Sequence, residues 1–385
     1  MVDHAMYAIV GGGAAAAAAV EGIRARDPAG DIVLFTTEWA PPYQRPPLSK
    51  EYLRGDAPIE SVLMHPAPWY LQNGVDVRVG VTVTAIDPPA HALHIDGDVV
   101  HYQKLLLATG ATPRQLQIPG ADLEGIFTLR TYADALRLRA VRATARRIVL
   151  IGSGFIGMEV AASLRSGGAE IVLTSVDKAL WAMFGADVSA HVARVFERHG
   201  VEVVLDNAIT SFSGDGRVRS VATSHGQFDC DAVIVGIGVA PNDELAAAAG
   251  LKTGNGIVVN DRLQTSALDV YAAGDVARFP TLDGTLGRVE HFDHADSSGR
   301  TAGGNMAGLD AAYRYVPFFW SDVFELGFEF VGSPAPDSRI VTGTLESGSF
   351  IIEYTRDAKL VGAFLGGRTS EESAAYRDRL SAGKP

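Results

Sequence analysis

The chain has 385 residues, of which 47% are hydrophobic, and a formal net charge of −12. This length predicts two or three domains with substantial cores, and the negative charge disfavours nucleic-acid binding, because phosphates attract Lys and Arg. The single cysteine, Cys230, excludes an internal disulfide, a redox-active CxxC pair and an all-cysteine metal or iron–sulfur site within this sequence, and it fits a reduced, cytoplasmic setting.

The N-terminal segment predicts a β-α-β unit. Residues 7–10 (YAIV) form a short apolar strand that ends in three glycines, residues 14–26 form an alanine-rich helix, and residues 31–36 (DIVLFT) form a second strand. Alanine loses no side-chain entropy in a helix, so we interpret the run of six alanines as a packed helix and not as a low-complexity tail. The initial MVDH lacks the basic segment of a signal peptide, and no apolar run approaches the roughly 18 residues of a membrane span.

The turn of this unit carries a dinucleotide-binding pattern. Gly11 permits a tight turn, Gly13 lets the backbone approach a pyrophosphate, and Ala16 allows the helix and strand to pack closely. The N-terminus of the helix then offers N–H groups and a partial positive charge to phosphate. Glu38 follows the second strand, where a carboxylate would accept the ribose hydroxyls.

A second unit of the same kind follows after a buried strand at residues 104–108 (KLLLA). It has a strand at 148–151, a helix at 156–166 and a strand at 170–174, and a further buried strand lies at 231–237. The repetition predicts two nucleotide-binding subdomains. Two dinucleotides in one chain point to hydride transfer between a nicotinamide and a flavin, with the flavin ring supplying the chemistry.

The second glycine motif, GSGFIG at residues 152–157, is a full GxGxxG. Ser175 stands at the position where an acid is expected, with Asp177 and Lys178 close behind. A carboxylate would bond the ribose of NADH, whereas a serine and a cation suit the phosphate-bearing ribose of NADPH. The sequence leaves both open and favours NADH slightly, because Asp177 can still reach.

The C-terminal part differs in composition. It is rich in aromatic and β-forming residues and predicts an antiparallel sheet with strands at 339–345, 349–355 and 360–365, followed by a charged helix and tail from residue 371. The predicted fold class is therefore α/β, with two Rossmann-like nucleotide-binding domains and a small C-terminal α+β domain. The predicted bounds are 1–113 with 245–315 for the FAD domain, 114–244 for the NAD(P)H domain, and 316–385 for the C-terminal domain.

Four other features bear on function. His291 and His294 are three residues apart, but no third ligand accompanies them, so we expect cleft-lining or hydrogen-bonded core histidines and no metal site. Cys230 enters a predicted strand and is expected to be buried and inert. The basic run at residues 137–147 predicts a solvated helix face in preference to a docking patch for an acidic partner. Glycines and alanines at 302–308 predict a closely packed helix whose dipole would stabilise an anionic flavin ring.

The chain resembles the FAD-dependent pyridine nucleotide oxidoreductases, in particular the ferredoxin and rubredoxin reductases of oxygenase systems and the apoptosis-inducing-factor-like flavoproteins. The resemblance runs almost from end to end, and the boxes AAGD and RPPLSK are its most specific parts. The matching segments are IVGGGAAA, PPYQRPPLSK, LLLATGATPR, LRTYADA, IGSGFIGMEVA, GIGVAPN, VYAAGDVA, VEHFDHA and FWSD.

The resemblance implies two catalytic residues, Lys50 near the reactive N5 edge of the flavin and Glu159 as its partner. A cation there stabilises negative charge on the reduced ring, and burying it without a carboxylate would be unfavourable. Asp275 would bind the ribityl chain. The implied FAD contacts are Gly11, Gly13, Ala14, Ala15, Glu38, Arg45, Lys50, Val83, Ala108, Thr109, Gly110, Arg130, Gly274, Asp275, Glu290, His291 and Trp320. The implied NAD(P)H contacts are Gly152, Gly154, Phe155, Ile156, Gly157, Glu159, Ser175 and Gly238.

The resemblance further implies that the enzyme transfers hydride from NADH, with NADPH possible, to FAD and passes electrons to a small iron–sulfur protein such as ferredoxin or rubredoxin. Oxygen or a quinone are the other acceptors to consider. The alternative is an apoptosis-inducing-factor-like flavoprotein with slow oxidase activity and a redox-switch role. The sequence does not decide the oligomeric state.

Overall fold

The computed structural model describes residues 4–334 and 337–382. These residues form two units, each assembled from three stretches of chain. The first comprises the described part of Met1–Gln44 with Ile59–Thr112 and Ala240–Pro317, and the second comprises Arg45–Pro58, Pro113–Val239 and the described part of Phe318–Pro385. The three-domain division drawn from the sequence stays a prediction.

The elements are numbered in chain order. The strands are β1 (His4–Val10), β2 (Ile32–Thr36), β3 (Val75–Val79), β4 (Val83–Asp87), β5 (Ala92–Ile95), β6 (Asp98–Leu107), β7 (Ala111–Pro113), β8 (Ile126–Phe127), β9 (Arg147–Ile151), β10 (Glu170–Thr174), β11 (Val201–Val204), β12 (Ile209–Asp215), β13 (Arg217–Thr223), β14 (Gly226–Asp229), β15 (Ala232–Val235), β16 (Val239–Pro241), β17 (Ile257–Val258), β18 (Val270–Ala272), β19 (Ala277–Pro280), β20 (Leu286–Gly287), β21 (Phe318–Val323), β22 (Leu326–Gly332), β23 (Ser338–Thr344), β24 (Ser349–Arg356) and β25 (Lys359–Gly366). The α-helices are α1 (Ala14–Arg24), α2 (Glu51–Arg54), α3 (Ala67–Gln72), α4 (Tyr132–Thr144), α5 (Phe155–Arg165), α6 (Ala186–Arg198), α7 (Glu244–Ala248), α8 (Phe292–Met306) and α9 (Ser370–Ala382). Short 3₁₀ helices lie at Pro46–Ser49, Ile59–Val62, Ala182–Phe184 and Gly274–Val276.

The first unit is built on a sheet of order β3-β2-β1-β6-β5-β4, with β18 also pairing with β6. The strands β3, β2, β1, β6 and β18 run parallel, whereas β5 and β4 are antiparallel additions. Ligands bind at the carboxyl edge of such a parallel sheet. The loop after β1, Glu38 after β2 and Asp275 after β18 all lie at that edge.

Helices α1 and α8 of the first unit touch through their backbones, which explains the alanine run. A Cβ at Gly299 would lie 2.2 Å from the carbonyl oxygen of Ala15, and a Cβ at Gly303 would lie 2.1 Å from that of Ala19. From the other side, a Cβ at Gly22 would lie 2.1 Å from the carbonyl oxygen of Arg300. The six alanines are buried, and the prediction of a packed helix is confirmed.

The second unit holds another parallel sheet, of order β11-β10-β9-β15-β8. It also contains an antiparallel sheet β12-β13-β14 and the C-terminal antiparallel sheet β21-β22-β25-β24-β23, against which α9 packs. Aromatic side chains from the C-terminal sheet, such as Phe328 and Phe364, share one core with Phe184 and Trp181. The predicted α/β class, with two nucleotide-type sheets and a C-terminal antiparallel sheet, is confirmed.

Some predicted boundaries are wrong by a few residues. The first helix ends at Arg24 and the second begins at Phe155. The basic run is helical only as far as Thr144, because the backbone of Ala145 is extended and the N–H groups of Arg146 and Arg147 bond the Asp231 carboxylate instead. The predicted tail beyond residue 382 lies outside the described residues.

Candidate functional site

The loop between β1 and α1 (residues 11–13, the first glycine loop) requires glycine for two different reasons. Gly11 has a φ of +127°, and a Cβ there would lie 2.1 Å from the carbonyl oxygen of Ala108. Gly13 has φ −98° and ψ −171°, which any residue can adopt, and a Cβ there would meet nothing within 4 Å. The fold itself therefore needs Gly11, whereas Gly13 leaves open space in front of α1.

The open space fits a pyrophosphate. Gly13 is the N-cap of α1 and forms no side-chain cap, and Ala14 and Ala15 begin the helix. The first N–H groups of a helix have no partner within it, and with the helix dipole they attract phosphate. The free N–H groups and the open space at Gly13 fit a diphosphate, and its binding at these residues stays a prediction.

The segment after β6 is tied to Asn242 within the first unit. Thr109 Oγ1 donates to the Asn242 carbonyl oxygen (2.7 Å), the Asn242 amide donates to the Thr109 carbonyl oxygen (2.8 Å), and the Asn242 N–H donates to that of Gly110 (2.9 Å). Ala108 is buried beside Gly11. These bonds fix the turn of Ala108, Thr109 and Gly110, which the sequence assigns to FAD, next to the first glycine loop.

Gly274 and Asp275 also approach the first turn of α1. Gly274 has φ +74°, its N–H donates to Ser298 Oγ (2.9 Å), and a Cβ on it would lie 3.0 Å from the Ala15 Cβ. Asp275 follows in a buried 3₁₀ turn. Its carboxylate is thus held at the carboxyl edge of the sheet, near the first glycine loop.

The remaining predicted FAD residues of the first unit are spread over its edge. Glu38 accepts a hydrogen bond from the Tyr43 hydroxyl, and its own N–H donates to Thr36 Oγ1 (3.2 Å). The side chain of Val83 is buried in the core of the unit. Glu290 is exposed and pairs with Arg288 (2.7 Å), and His291 is the N-cap residue of α8.

The loop between β9 and α5 (residues 152–154, the second glycine loop) repeats the first. Gly152 has φ +111°, and a Cβ there would lie 2.2 Å from the carbonyl oxygen of Gly236. Gly154 has ordinary angles (φ −69°, ψ 165°), and a Cβ there would meet nothing within 4 Å. A Cβ at Gly157 would lie 2.9 Å from the Gly152 carbonyl oxygen. This cradle fits a second diphosphate by the same reasoning.

Other residues assigned to the second nucleotide differ in exposure. Ile156 is half exposed at the start of α5, whereas Phe155 packs against the Phe319 and Trp181 rings (centroids 4.6 and 5.1 Å apart). Gly238 has φ +90°, and its carbonyl oxygen accepts the Arg114 N–H. Phe155 therefore packs its side chain against the core of the second unit while its backbone begins α5, directly after the loop.

Asp177 reaches the second glycine loop. Its N–H donates to Ser175 Oγ (3.1 Å), and its carboxylate accepts the Ser175 hydroxyl (2.9 Å) and contacts the Ser153 hydroxyl. The Ser153 hydroxyl also donates to Ser175 Oγ, at 3.1 Å. A carboxylate thus lies beside the loop although Ser175 occupies the position where an acid was expected.

Lys50 and Glu159 form a buried ion pair in the second unit. Lys50 Nζ lies 2.9 Å from Glu159 Oε1, and the two residues are 8% and 5% exposed. Glu159 also accepts the hydroxyls of Ser321 at Oε1 and Ser49 at Oε2, both at 2.6 Å. Ser163 in turn donates to the Ser49 carbonyl oxygen (2.7 Å). Three donors from two separate segments, Ser49 and Lys50 from one and Ser321 from the other, therefore surround one carboxylate.

Sequence reasoning named the ion pair but missed the serines around it. Ser49 precedes Lys50 in PPLSK, and Ser321 lies in FWSD, so both stand inside segments that were already singled out. Single serines follow no pattern that marks them in a sequence, and their role becomes visible only from the residues they contact in the structure.

The other predicted FAD residues of the second unit are Arg45, Arg130 and Trp320. The Arg45 guanidinium donates to the Arg130 carbonyl oxygen, and Trp320 lies in β21, partly buried.

The histidines and the cysteine considered above lie in the following surroundings. Within residues 4–334 and 337–382, no group of His, Cys, Asp and Glu could hold a metal ion. His294 is fully buried, its Nδ1 lies 2.8 Å from the Tyr313 hydroxyl, and burial lowers its pKa to about 4. Cys230 is buried, and that burial raises the pKa of its thiol to about 11. The predictions of a core histidine at 294 and a buried cysteine are confirmed, and the inertness of the thiol stays a prediction.

Among the helices of the described residues, none combines the length and apolar character needed to cross a membrane.

Comparison with known proteins places these features in context. The profile of the family described as pyridine nucleotide-disulphide oxidoreductase matches residues 5–299. Rhodocoxin reductase of Rhodococcus erythropolis is 37% identical over 92% of this chain and 84% of its own length. The anthranilate 1,2-dioxygenase system ferredoxin–NAD(+) reductase component of Burkholderia cepacia is 36% identical over 93% of this chain and 89% of its own. The structure of the covalent putidaredoxin reductase–putidaredoxin complex superimposes with a TM-score of 0.93 and 31% identity, covering 98% of this chain and 93% of that one.

Proposed function

Because this chain belongs to the pyridine nucleotide-disulphide oxidoreductase family, we propose that it is an FAD-dependent oxidoreductase that takes hydride from NADH and delivers electrons to a small iron–sulfur protein of the ferredoxin type. The observation that carries this proposal is the pair of open glycines. Gly13 and Gly154 have backbone angles that any residue can adopt, and among the described residues no atom from elsewhere in the chain lies within 4 Å of a Cβ placed on either one. Two such cradles in one chain support two dinucleotides.

The cysteine content bears on where the electrons go, because members of this family can pass them either to a disulfide or to an external acceptor. A dithiol–disulfide relay needs a pair of cysteines, and the sequence has only Cys230. That thiol lies among Val149, Val221 and Val233 in the core of the second unit, and its raised pKa of about 11 keeps it protonated at neutral pH. Electrons therefore leave by a route without a thiol, which supports an external acceptor such as the partners named for the relatives.

In this proposal the first glycine loop, Glu38 and Asp275 hold FAD, and the second glycine loop holds the nicotinamide nucleotide. Bound FAD supplies a ring that accepts a hydride and can release electrons one at a time. The chain contributes binding, orientation and charge. Lys50 supplies a cation to offset negative charge on the ring, and Glu159 holds that cation in place.

Asp177 supports NADH as the nucleotide. Its carboxylate lies against Ser153 of the second glycine loop, where it can accept ribose hydroxyls. A 2′-phosphate at the same position would face a like charge, which is unfavourable when both groups are partly desolvated. We therefore assign the lysine at 178 no phosphate-binding role.

The matched variants Gly13→Val and Gly154→Val test the proposal. Because neither position has an atom within 4 Å of a new Cβ, both variants should fold, and each should block one nucleotide. We expect a yellow wild-type protein, a Gly13→Val protein without flavin, and a Gly154→Val protein that keeps flavin but needs far more NADH to bleach it under anaerobic conditions. With a [2Fe–2S] ferredoxin present, NADH should be consumed over many turnovers. A wild-type protein that stays colourless with added FAD contradicts the proposal, and reduction without turnover would favour a redox switch.

A further inference from the structure

Trp39 is the most exposed large hydrophobic residue of the described chain, with 85% of its surface accessible. The other three tryptophans are buried or half buried. A lone exposed apolar side chain needs no functional explanation by itself, but the position of Trp39 in the chain suggests a function. It directly follows Glu38, the carboxylate assigned to the ribose of FAD.

The segment that carries Trp39 is fixed beside the first glycine loop. The Thr36 side chain lies over Gly12, since a Cβ there would come within 2.3 Å of Thr36 Oγ1. The neighbouring strand β3 then secures the turn, because the Gly80 N–H donates to the Glu38 carbonyl oxygen at 3.0 Å. Trp39 is therefore held at the ligand-binding edge of the sheet and is not part of a loose loop.

The indole ring rests on the backbone of Gly80. Gly80 has φ +68°, and a Cβ there would lie 2.6 to 2.8 Å from three atoms of the Trp39 ring. Only glycine fits beneath the ring at this distance. The ring is thus supported from one side by backbone while most of its surface faces solvent, which makes it a flat apolar platform ready for a second ring.

The chemistry of FAD supplies that second ring. In its adenosine half, the adenine is bonded to the same ribose whose hydroxyls Glu38 would accept, so the base lies one sugar away from the carboxylate. We propose that Trp39 stacks on the adenine of FAD and so acts as a positioning residue for the cofactor. This inference rests on the proposed function, and it predicts a preference for FAD over FMN, because FMN has no adenine.

The variants Trp39→Ala and Trp39→Phe test this inference in the full-length chain, with Leu268→Ala, another highly exposed apolar residue of the first unit (80%), as the matched control. Stacking of a base on an aromatic ring predicts that Trp39→Ala binds FAD about 5- to 150-fold more weakly. Trp39→Phe should lose much less, and Leu268→Ala nothing. FMN affinity should be the same in all four proteins.

Binding is measured by titrating flavin-stripped protein and by the rate of flavin release from the yellow protein. Tryptophan emission gives a readout that is independent of flavin. Adding ADP, which carries the same adenosine, should quench this emission in the wild type but not in Trp39→Phe. Trp39→Ala with wild-type FAD affinity, or an equal loss of FMN affinity, overturns the inference and leaves the proposed function intact. A wild type that binds no FAD overturns both. Should Trp39→Ala fail to fold, the ADP result in the wild type and in Trp39→Phe decides.

Discussion

Replacing Lys50 with methionine removes the cation from a carboxylate that stays buried. At 2.9 Å and an effective dielectric constant of about 20, the Lys50–Glu159 attraction is about 6 kcal/mol before desolvation is subtracted. Glu159 would keep its two serine donors but lose its counter-ion. Breaking such a buried pair from one side lowers the free energy of unfolding by about 3–5 kcal/mol, and we expect that loss in Lys50→Met.

A double-mutant cycle separates the pair from its surroundings. Glu159→Gln should also destabilise, because it leaves a buried lysine without a carboxylate, but the combined variant should lose about 1–3 kcal/mol less than the sum of the two. Urea unfolding followed by tryptophan fluorescence measures all four proteins. Lys104→Met is the control, since its pair with Asp269 is partly exposed and should contribute at most about 1 kcal/mol. Additive losses in the cycle would refute the reasoning.

Three further predictions concern single residues. Asp177→Asn should lower kcat/KM for NADH about tenfold, because a charged acceptor of hydroxyl hydrogen bonds is lost, and leave that for NADPH unchanged or higher; equal losses for both nucleotides would contradict the assignment. Cys230 should resist a thiol-specific reagent at pH 8 in the folded protein, since its pKa of about 11 leaves little thiolate, and Cys230→Ser should keep full reductase activity; rapid labelling would be inconsistent with this. His294 has a folded pKa of about 4, below the ordinary value near 6.5, so the unfolded chain binds more protons between these values and the free energy of unfolding falls as pH drops through that window, by about 3 kcal/mol in total. His294→Phe should lack this part of the pH dependence, and parallel stability curves for the two proteins would disprove it.

The glycine loops could be predicted because their requirements are local. The φ of Gly11 and the closeness of Ala108 follow from a tight strand-to-helix turn, and such turns impose a fixed spacing on the sequence. The same spacing identified Gly152 and Gly157. Strand, glycines, helix and strand in order were enough to predict both glycine loops to within a residue or two.

The surroundings of Glu159 could not be predicted in the same way. Ser321 lies 162 positions away along the chain, and its hydroxyl meets Glu159 only because β21 belongs to the same unit as α5. Asp177 is a milder case, since the sequence showed it two residues after Ser175 but not that its carboxylate turns back to Ser153. Contacts between side chains from distant segments depend on the packing of whole elements, which no short pattern encodes. The antiparallel sheet β12-β13-β14 was missed for a different reason, because its strands carry many polar and exposed residues and lack a long apolar run.

The backbone contact between α1 and α8 has a mechanical consequence. Where two helices meet through large side chains, rotamer changes let them slide, but at Gly299 and Gly303 the opposing surface is a carbonyl group that cannot yield. The first turn of α1 is therefore held rigidly against α8, and the first glycine loop cannot open without moving both helices. Heating should then release the yellow cofactor and melt the first unit in a single step, so that flavin fluorescence and loss of helical ellipticity rise at the same temperature.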